Sequence, residues 1–171
     1  MRLIVGLGNP GKKYEKVRHN TGFIALDSYF KCGPKKFELN RDFGALMMKD
    51  GDIIYAKPQN FMNNSGEVVS EIVKFYKIPL ENVLVVHDDV DLAFGTVKRQ
   101  KNISSAGHLG VESIIEALGT QDFWRLRIGI GRPRDNSFDV DKWVLENFSD
   151  EEIETIKDVS VEALNSLLTL K

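Results

Sequence analysis

Leu3-Ile4-Val5-Gly6-Leu7-Gly8-Asn9-Pro10-Gly11 stands almost at the start of the chain. Leu3–Leu7 is an apolar run with β-branched members, and Gly8-Asn9-Pro10-Gly11 ends it in a tight turn. This reads as a buried first strand. The same residues match G-x-G-x-x-G, the dinucleotide fingerprint. Their surroundings argue for another use. Lys12-Lys13-Tyr14-Glu15-Lys16 offers no apolar face on which a crossover helix can pack, and no second strand ends in an acidic residue about 20 positions on. The turn instead presents Asn9 at the carboxyl end of a strand, where open α/β sheets hold their ligands.

Outward from that strand, the periodicity predicts a helix over Thr21–Phe30, through Phe23, Ile24, Leu26 and Phe30. Gly44–Lys49 and Asp52–Lys57 form a hairpin about Asp50-Gly51. A second helix runs over Ser65–Tyr76, with Val68, Val69, Ile72, Val73 and Tyr76 at helical spacing. Asn82–His87 is a fully apolar strand that runs into carboxylates. Gly95–Lys101 is a polar edge strand, Gly110–Leu118 a helix and Arg125–Gly131 an alternating strand. Ser149 and Glu152 make a capping box that opens a last helix. Strands alternating with helices give an α/β fold, and the hairpin makes its sheet mixed. No linker or repeat divides residues 1–171, so one domain is expected.

The 171 residues are 42% apolar and 28% charged, the profile of a soluble globular chain. No apolar run approaches the ~20 residues of a membrane span, and Met1–Gly11 is broken too early for a signal peptide. The one cysteine, Cys32, excludes an internal disulfide and a thiolate zinc cluster. A cytoplasmic protein is expected. The net charge of −2 hides a segregation, with +4 over residues 96–134 and −7 over residues 135–171. A polyanion responds to such a local field and not to the net charge.

The three histidines fall at loops or element ends. His19 lies in the polar stretch Arg18-His19-Asn20-Thr21-Gly22, next along the chain from the ligand-facing turn. His87-Asp88-Asp89-Val90-Asp91 sets one imidazole and three carboxylates at a strand end. Such an oxygen-rich end suits a hard cation, although neither H-E-x-x-H nor an EF-hand spacing is present. The competing use is one aspartate holding a histidine in the right tautomer. Pro58-Gln59-Asn60-Phe61-Met62-Asn63-Asn64-Ser65-Gly66 is rich in amides, which suit peptide groups, sugars or base edges. With no G-x-S-x-G elbow, water is the nucleophile expected of any hydrolase here.

In these blocks the chain resembles the bacterial-type peptidyl-tRNA hydrolase family. The resemblance runs through Leu3–Gly11, Tyr14, Arg18–Gly22, Pro58–Gly66, Val86–Leu92, Gly107–Gly110 and Phe123–Gly131, in order and over nearly the whole length. It implies a twisted mixed β-sheet surrounded by helices in one α/β domain. It also implies hydrolysis of the ester that joins a peptide to tRNA, without metal or organic cofactor. By resemblance His19 is the catalytic base and Asp88 its partner. Asn9 contacts the peptide and helps spare aminoacyl-tRNA. Tyr14, Phe61 and Asn63 line the site for the tRNA CCA end and the peptide. Lys98, Arg99, Lys101, Arg125 and Arg127 then serve as phosphate contacts on the acceptor stem, which position RNA without reading it.

One departure matters. The family has Gly-His-Asn-Gly where this chain has Gly107-His108-Leu109-Gly110, and Asn102–Ala106 replaces a glycine-rich run. Leu109 therefore occupies a substrate-binding position without the amide. Two rival readings stand beside the esterase: a metal-dependent hydrolase using His87, Asp88, Asp89 and Asp91, and a non-catalytic tRNA- or nucleotide-binding module. The esterase is expected to act as a monomer.

Overall fold

The first strand, β1 (Arg2–Gly6), sits at the centre of a seven-stranded sheet in the computed structural model, which describes residues 1–133 and 139–169. Arg134, the last residue of the basic 96–134 zone, lies outside the described residues. β1 pairs in parallel with β4 (Ile53–Pro58) on one side and β5 (Val83–Asp89) on the other, and β7 (Trp124–Gly129) continues the parallel core. Antiparallel strands finish both edges: β3 (Ala45–Asp50) and β2 (Glu38–Asn40) beyond β4, and β6 (Val97–Lys101) beyond β7. The order is β2-β3-β4-β1-β5-β7-β6, so the expected mixed α/β sheet is what forms.

Alternation along the strands divides the core in two. Leu3, Val5, Val83 and Val85 point to one face, which α2 (Ser65–Tyr76) and α3 (Leu109–Leu118) cover with Val69, Ile72 and Ile114. Ile4, Val86, Leu126 and Ile128 point to the other, which α1 (Thr21–Phe30) and α5 (Asp150–Thr169) cover with Ala25, Leu26, Ile156 and Leu164. A four-residue helix, α4 (Val140–Trp143), precedes α5.

Two details of the fold place the site. At Gly22 a Cβ would collide with Leu7 N and Val86 O, so only glycine lets the start of α1 lie on β1 and β5. The residues just before α1 are thereby brought to the carboxyl ends of both strands. Second, β5 runs two residues beyond the expected His87 and carries Asp88 and Asp89 within the sheet.

Arg125 requires a correction. It is fully buried, with its guanidinium donating to the carbonyls of Ser104 (2.8 Å), Ile103 and Gln121 (3.3 Å). It fastens the loop before α3 to the sheet and does not face RNA phosphates. That loop turns through left-handed backbone at Asn102 (φ 55°), Ala106 (φ 50°) and Gly107 (φ 81°).

Candidate active site

His19 belongs to a short helical turn, Arg18–Asn20, immediately before α1. Its backbone N–H donates to Val144 O at 2.8 Å, and that of Arg18 to Glu146 O at 2.9 Å. The Arg18 guanidinium is stacked 3.9 Å from the Trp143 ring centroid and bonded to Glu152 at 2.9 Å. The strap from α4 to α5 is thus tied to the histidine's own segment. Across the gap, Asp88 near the end of β5 is almost fully buried. His19 Nδ1 lies 3.0 Å from Asp88 Oδ2 and 3.1 Å from Oδ1, a meeting of residues 69 apart in sequence.

A third residue joins them. His108 caps α3, where its Nδ1 accepts the Val111 N–H at 3.3 Å, and its Nε2 lies 3.1 Å from Asp88 Oδ1. Sequence reasoning gave His108 no role. The signal that points to it is a polar side chain just before a helical run, in the N-cap position.

Burial alone would raise the Asp88 carboxyl. The facing imidazoles of His19 and His108 reverse this and hold it far below the usual carboxylate range. Asp88 is an anion. For His19, burial pushes the imidazole down, and the charge and hydrogen bond of Asp88 together with the charge of Asp141 outweigh it. The net shift is upward from 6.5. An ionised Asp88 accepts the Nδ1–H, which leaves Nε2 of the neutral ring as a proton acceptor.

These groups line a cavity of about 610 Å³. Asn9 is buried in its wall. Its backbone N–H donates to Asn20 Oδ1 (3.0 Å), its carbonyl accepts from Asn20 Nδ2 (2.9 Å), and its Oδ1 accepts the Met62 N–H (2.8 Å). The amide nitrogen is left as a donor. Asn63, Phe61 and the half-exposed Tyr14 also line the cavity. Leu109 lines it with 54% of its surface exposed, as does Leu145 of the strap with 50%. The cavity thus gathers an imidazole, the buried carboxylate it bonds and several uncharged polar groups. A family model described as peptidyl-tRNA hydrolase matches residues 3–170.

This chain belongs to the peptidyl-tRNA hydrolase family. Hydrolysis of peptidyl-tRNA is the family's activity, and the chain is a hydrolase of that class. It is 47% identical over 161 residues to the peptidyl-tRNA hydrolase of Mycoplasma capricolum, covering 92% of this chain and 86% of that one. The Aquifex aeolicus enzyme is 46% identical over 172 residues, covering 98% and 88%. A crystal structure of a point mutant of peptidyl-tRNA hydrolase from Acinetobacter baumannii superposes with a TM-score of 0.89 at 30% identity, covering 98% of this chain and 86% of that one.

For a peptidyl-tRNA hydrolase, the placement of the basic side chains decides where phosphates can lie. Lys98 is paired in register with Arg127, so the two share one face of the sheet edge. Arg99 and Lys101 alternate to the other face. Arg99 stacks 3.9 Å from the Trp124 ring centroid, and Lys101 pairs with Asp122 at 3.2 Å. The four basic side chains are thus divided between the two faces of the sheet edge. Arg127 itself is held by Asp89 at 2.6 Å and by Gln100.

The four residues of the metal-dependent rival do not converge. Asp89 is taken by Arg127, and Asp91 by Arg132. His87 is buried with Nδ1 2.7 Å from the Asp88 carbonyl, and burial followed by the neighbouring His108 holds its imidazole well below the usual range. Among the described residues, the ligand-type atoms that do cluster, within 4.8 Å, are those of His19, Asp88 and His108. The helix cap keeps a proton on His108 Nε2, the atom a cation would need free. The three side chains form a hydrogen-bonded array.

Proposed function

We propose that His19 Nε2 removes a proton from a water molecule as its oxygen attacks the ester carbon between the peptide and the terminal ribose of tRNA. Asp88 holds the imidazole by accepting its Nδ1–H. The tetrahedral intermediate then collapses, the ribose oxygen leaves with the proton returned by His19, and free peptide and reusable tRNA result. A base of this kind contributes ~10²–10⁴-fold, enough for an activated ester without metal. The buried 3.0 Å contact between His19 Nδ1 and Asp88, on the wall of the cavity, carries this reading.

The Asn63 amide supplies a donor for the developing oxyanion. The Asn9 nitrogen, fixed as a donor by Met62, suits a peptide carbonyl and repels the ammonium of an unblocked aminoacyl ester. Tyr14, Phe61 and Leu109 flank the CCA end. Lys98 and Arg127, on one face of the sheet edge, meet acceptor-stem phosphates. The enzyme works as a monomer on cytoplasmic peptidyl-tRNA, in translation. Among the described residues no helix is long and apolar enough to cross a membrane. The test is release of labelled peptide from N-acetyl-aminoacyl-tRNA, with unblocked aminoacyl-tRNA as the control. Release from the blocked substrate alone supports the reading, and equal release from both contradicts it. Light scattering at assay concentration tests the monomer.

A further inference from the structure

Asp88 is shared. Its Oδ1 takes the Nε2 of His108 at 3.1 Å as well as the Nδ1 of His19 at 3.1 Å, and the two rings lie 4.6 Å apart between centroids. The tautomer of His19 is free to follow its partners, whereas that of His108 is set by the helix. Its Nδ1 faces the Val111 N–H, which can only donate, so Nδ1 must be the unprotonated nitrogen and Nε2 must carry the hydrogen. A backbone amide of α3 thereby dictates that Asp88 receives a hydrogen bond from this side. On its far side His108 packs edge-on against His87, with ring centroids 4.7 Å apart, and its side chain is buried.

We propose that His108 is a positioning residue of the hydrolysis, a tautomer-locked donor that shares the Asp88 carboxylate and so keeps His19 a neutral acceptor. A carboxylate with two donors divides its negative charge between them. Deprived of one, it binds the remaining imidazole N–H more strongly and favours the protonated ring. His108 therefore moderates the carboxylate that orients the base. Without it, Asp88 would hold a larger share of His19 as imidazolium, which cannot accept a proton from water.

Other charged and titratable groups stand around this array among the described residues. Tyr14 stands on the cavity wall, Asp141 comes from α4, and His87 and Asp89 flank Asp88 on β5. Asp89 is bound to Arg127, Arg125 is bound to the loop carbonyls, and Glu112 is one turn further along α3. Among the described residues, His19 and His108 make the side-chain hydrogen bonds to the Asp88 carboxylate.

Capping and donation can be separated, because they use different nitrogens. His108→Asn keeps a side-chain cap for α3 and is too short to reach Asp88. His108→Gln sets an amide N–H near the Nε2 position and gives up the cap acceptor. Melting temperature and the pH dependence of kcat on N-acetyl-aminoacyl-tRNA, with spontaneous hydrolysis subtracted, are measured for both. His108→Asn is expected to melt near the parent, with its acid limb moved upward by about half a unit to one unit. Below the limb that is a loss of roughly threefold to tenfold, recovered at higher pH. His108→Gln is expected to melt lower and to keep the parent's limb. The reverse pattern, with catalysis following the melting temperature and an unmoved limb in His108→Asn, overturns the proposal. The proposal rests on His19 as base. A parent profile with no acid limb sinks that assignment and this one together, whereas a parental limb unmoved in His108→Asn sinks this one alone.

Discussion

Asn9 Oδ1 accepts the Met62 backbone N–H at 2.8 Å, and this contact fixes which end of the Asn9 amide meets the substrate. The amide cannot flip without leaving a buried N–H unpaired, a loss of about 1–3 kcal/mol. The cavity is therefore offered a donor, which pairs with an acylated substrate's carbonyl and not with a free ammonium. Asn9→Asp keeps the bond to Met62 and replaces the donor by a carboxylate oxygen. The ratio of kcat/KM for N-acetyl-aminoacyl-tRNA to that for aminoacyl-tRNA should fall by at least ~10-fold, equivalent to ~1.4 kcal/mol of discrimination. An unchanged ratio would remove Asn9 from substrate selection.

The upward shift of His19 sets the sign of the pH dependence. The ring must be neutral to take a proton, and its raised value means that more of it is protonated at pH 6.5 than in a free histidine. Activity should climb with pH through a limb above 6.5. Asp141 contributes to that shift from the strap, so Asp141→Asn should move the limb downward and raise relative activity on the acid side. A limb that moves upward in Asp141→Asn would contradict the assignment of the titrating group.

Leu109 lines the cavity with 54% of its surface exposed, so it is not a core residue of a rebuilt loop. An amide in its place would stay wet and could offer substrate one hydrogen bond, worth about 0.5–1.5 kcal/mol. Leu109→Asn should lower KM by up to ~10-fold with kcat changed less. Its melting temperature should stay within a degree or two of the parent, since surface changes of this kind fall within about ±0.5 kcal/mol. A lower melting temperature with no gain in KM would mean that the leucine is structural.

Salt should weaken tRNA binding through counterion release. Lys98→Ala is expected to flatten the log–log slope by about one, near the ~0.9 per neutralised duplex phosphate. Arg99→Ala should leave the slope unchanged, because Arg99 lies on the opposite face against Trp124. Equal flattening by both would show that the stem wraps the edge of β6.

Much of this architecture is legible in local sequence, and the reasons are physical. The helical spacing of Val68, Val69, Ile72 and Val73 gives α2 its limits. Both bonds of the capping box form, Ser149 N to Glu152 at 2.9 Å and Glu152 N to Ser149 Oγ at 3.1 Å. β2 is not legible, because Glu38-Leu39-Asn40 has no alternation and exists by pairing with β3. Arg125 alternates out of the same strand as Arg127, and only the distant 103–104 carbonyls make it a buried fastener. The residues of the site were visible as types at strand ends. Their meeting was not, since a contact across 69 residues depends on Gly22 letting α1 close onto β1 and β5.

Replacement of His19 by alanine removes the proposed base and little else. The imidazole sits in a turn fixed by the backbone bonds of Arg18 and His19 to the strap, and those bonds survive the change. Single-turnover release of labelled peptide from N-acetyl-aminoacyl-tRNA should slow by at least ~10²-fold, with the melting temperature and tRNA affinity close to the parent's. A folded His19→Ala enzyme that releases peptide at nearly the parent's rate would contradict the account.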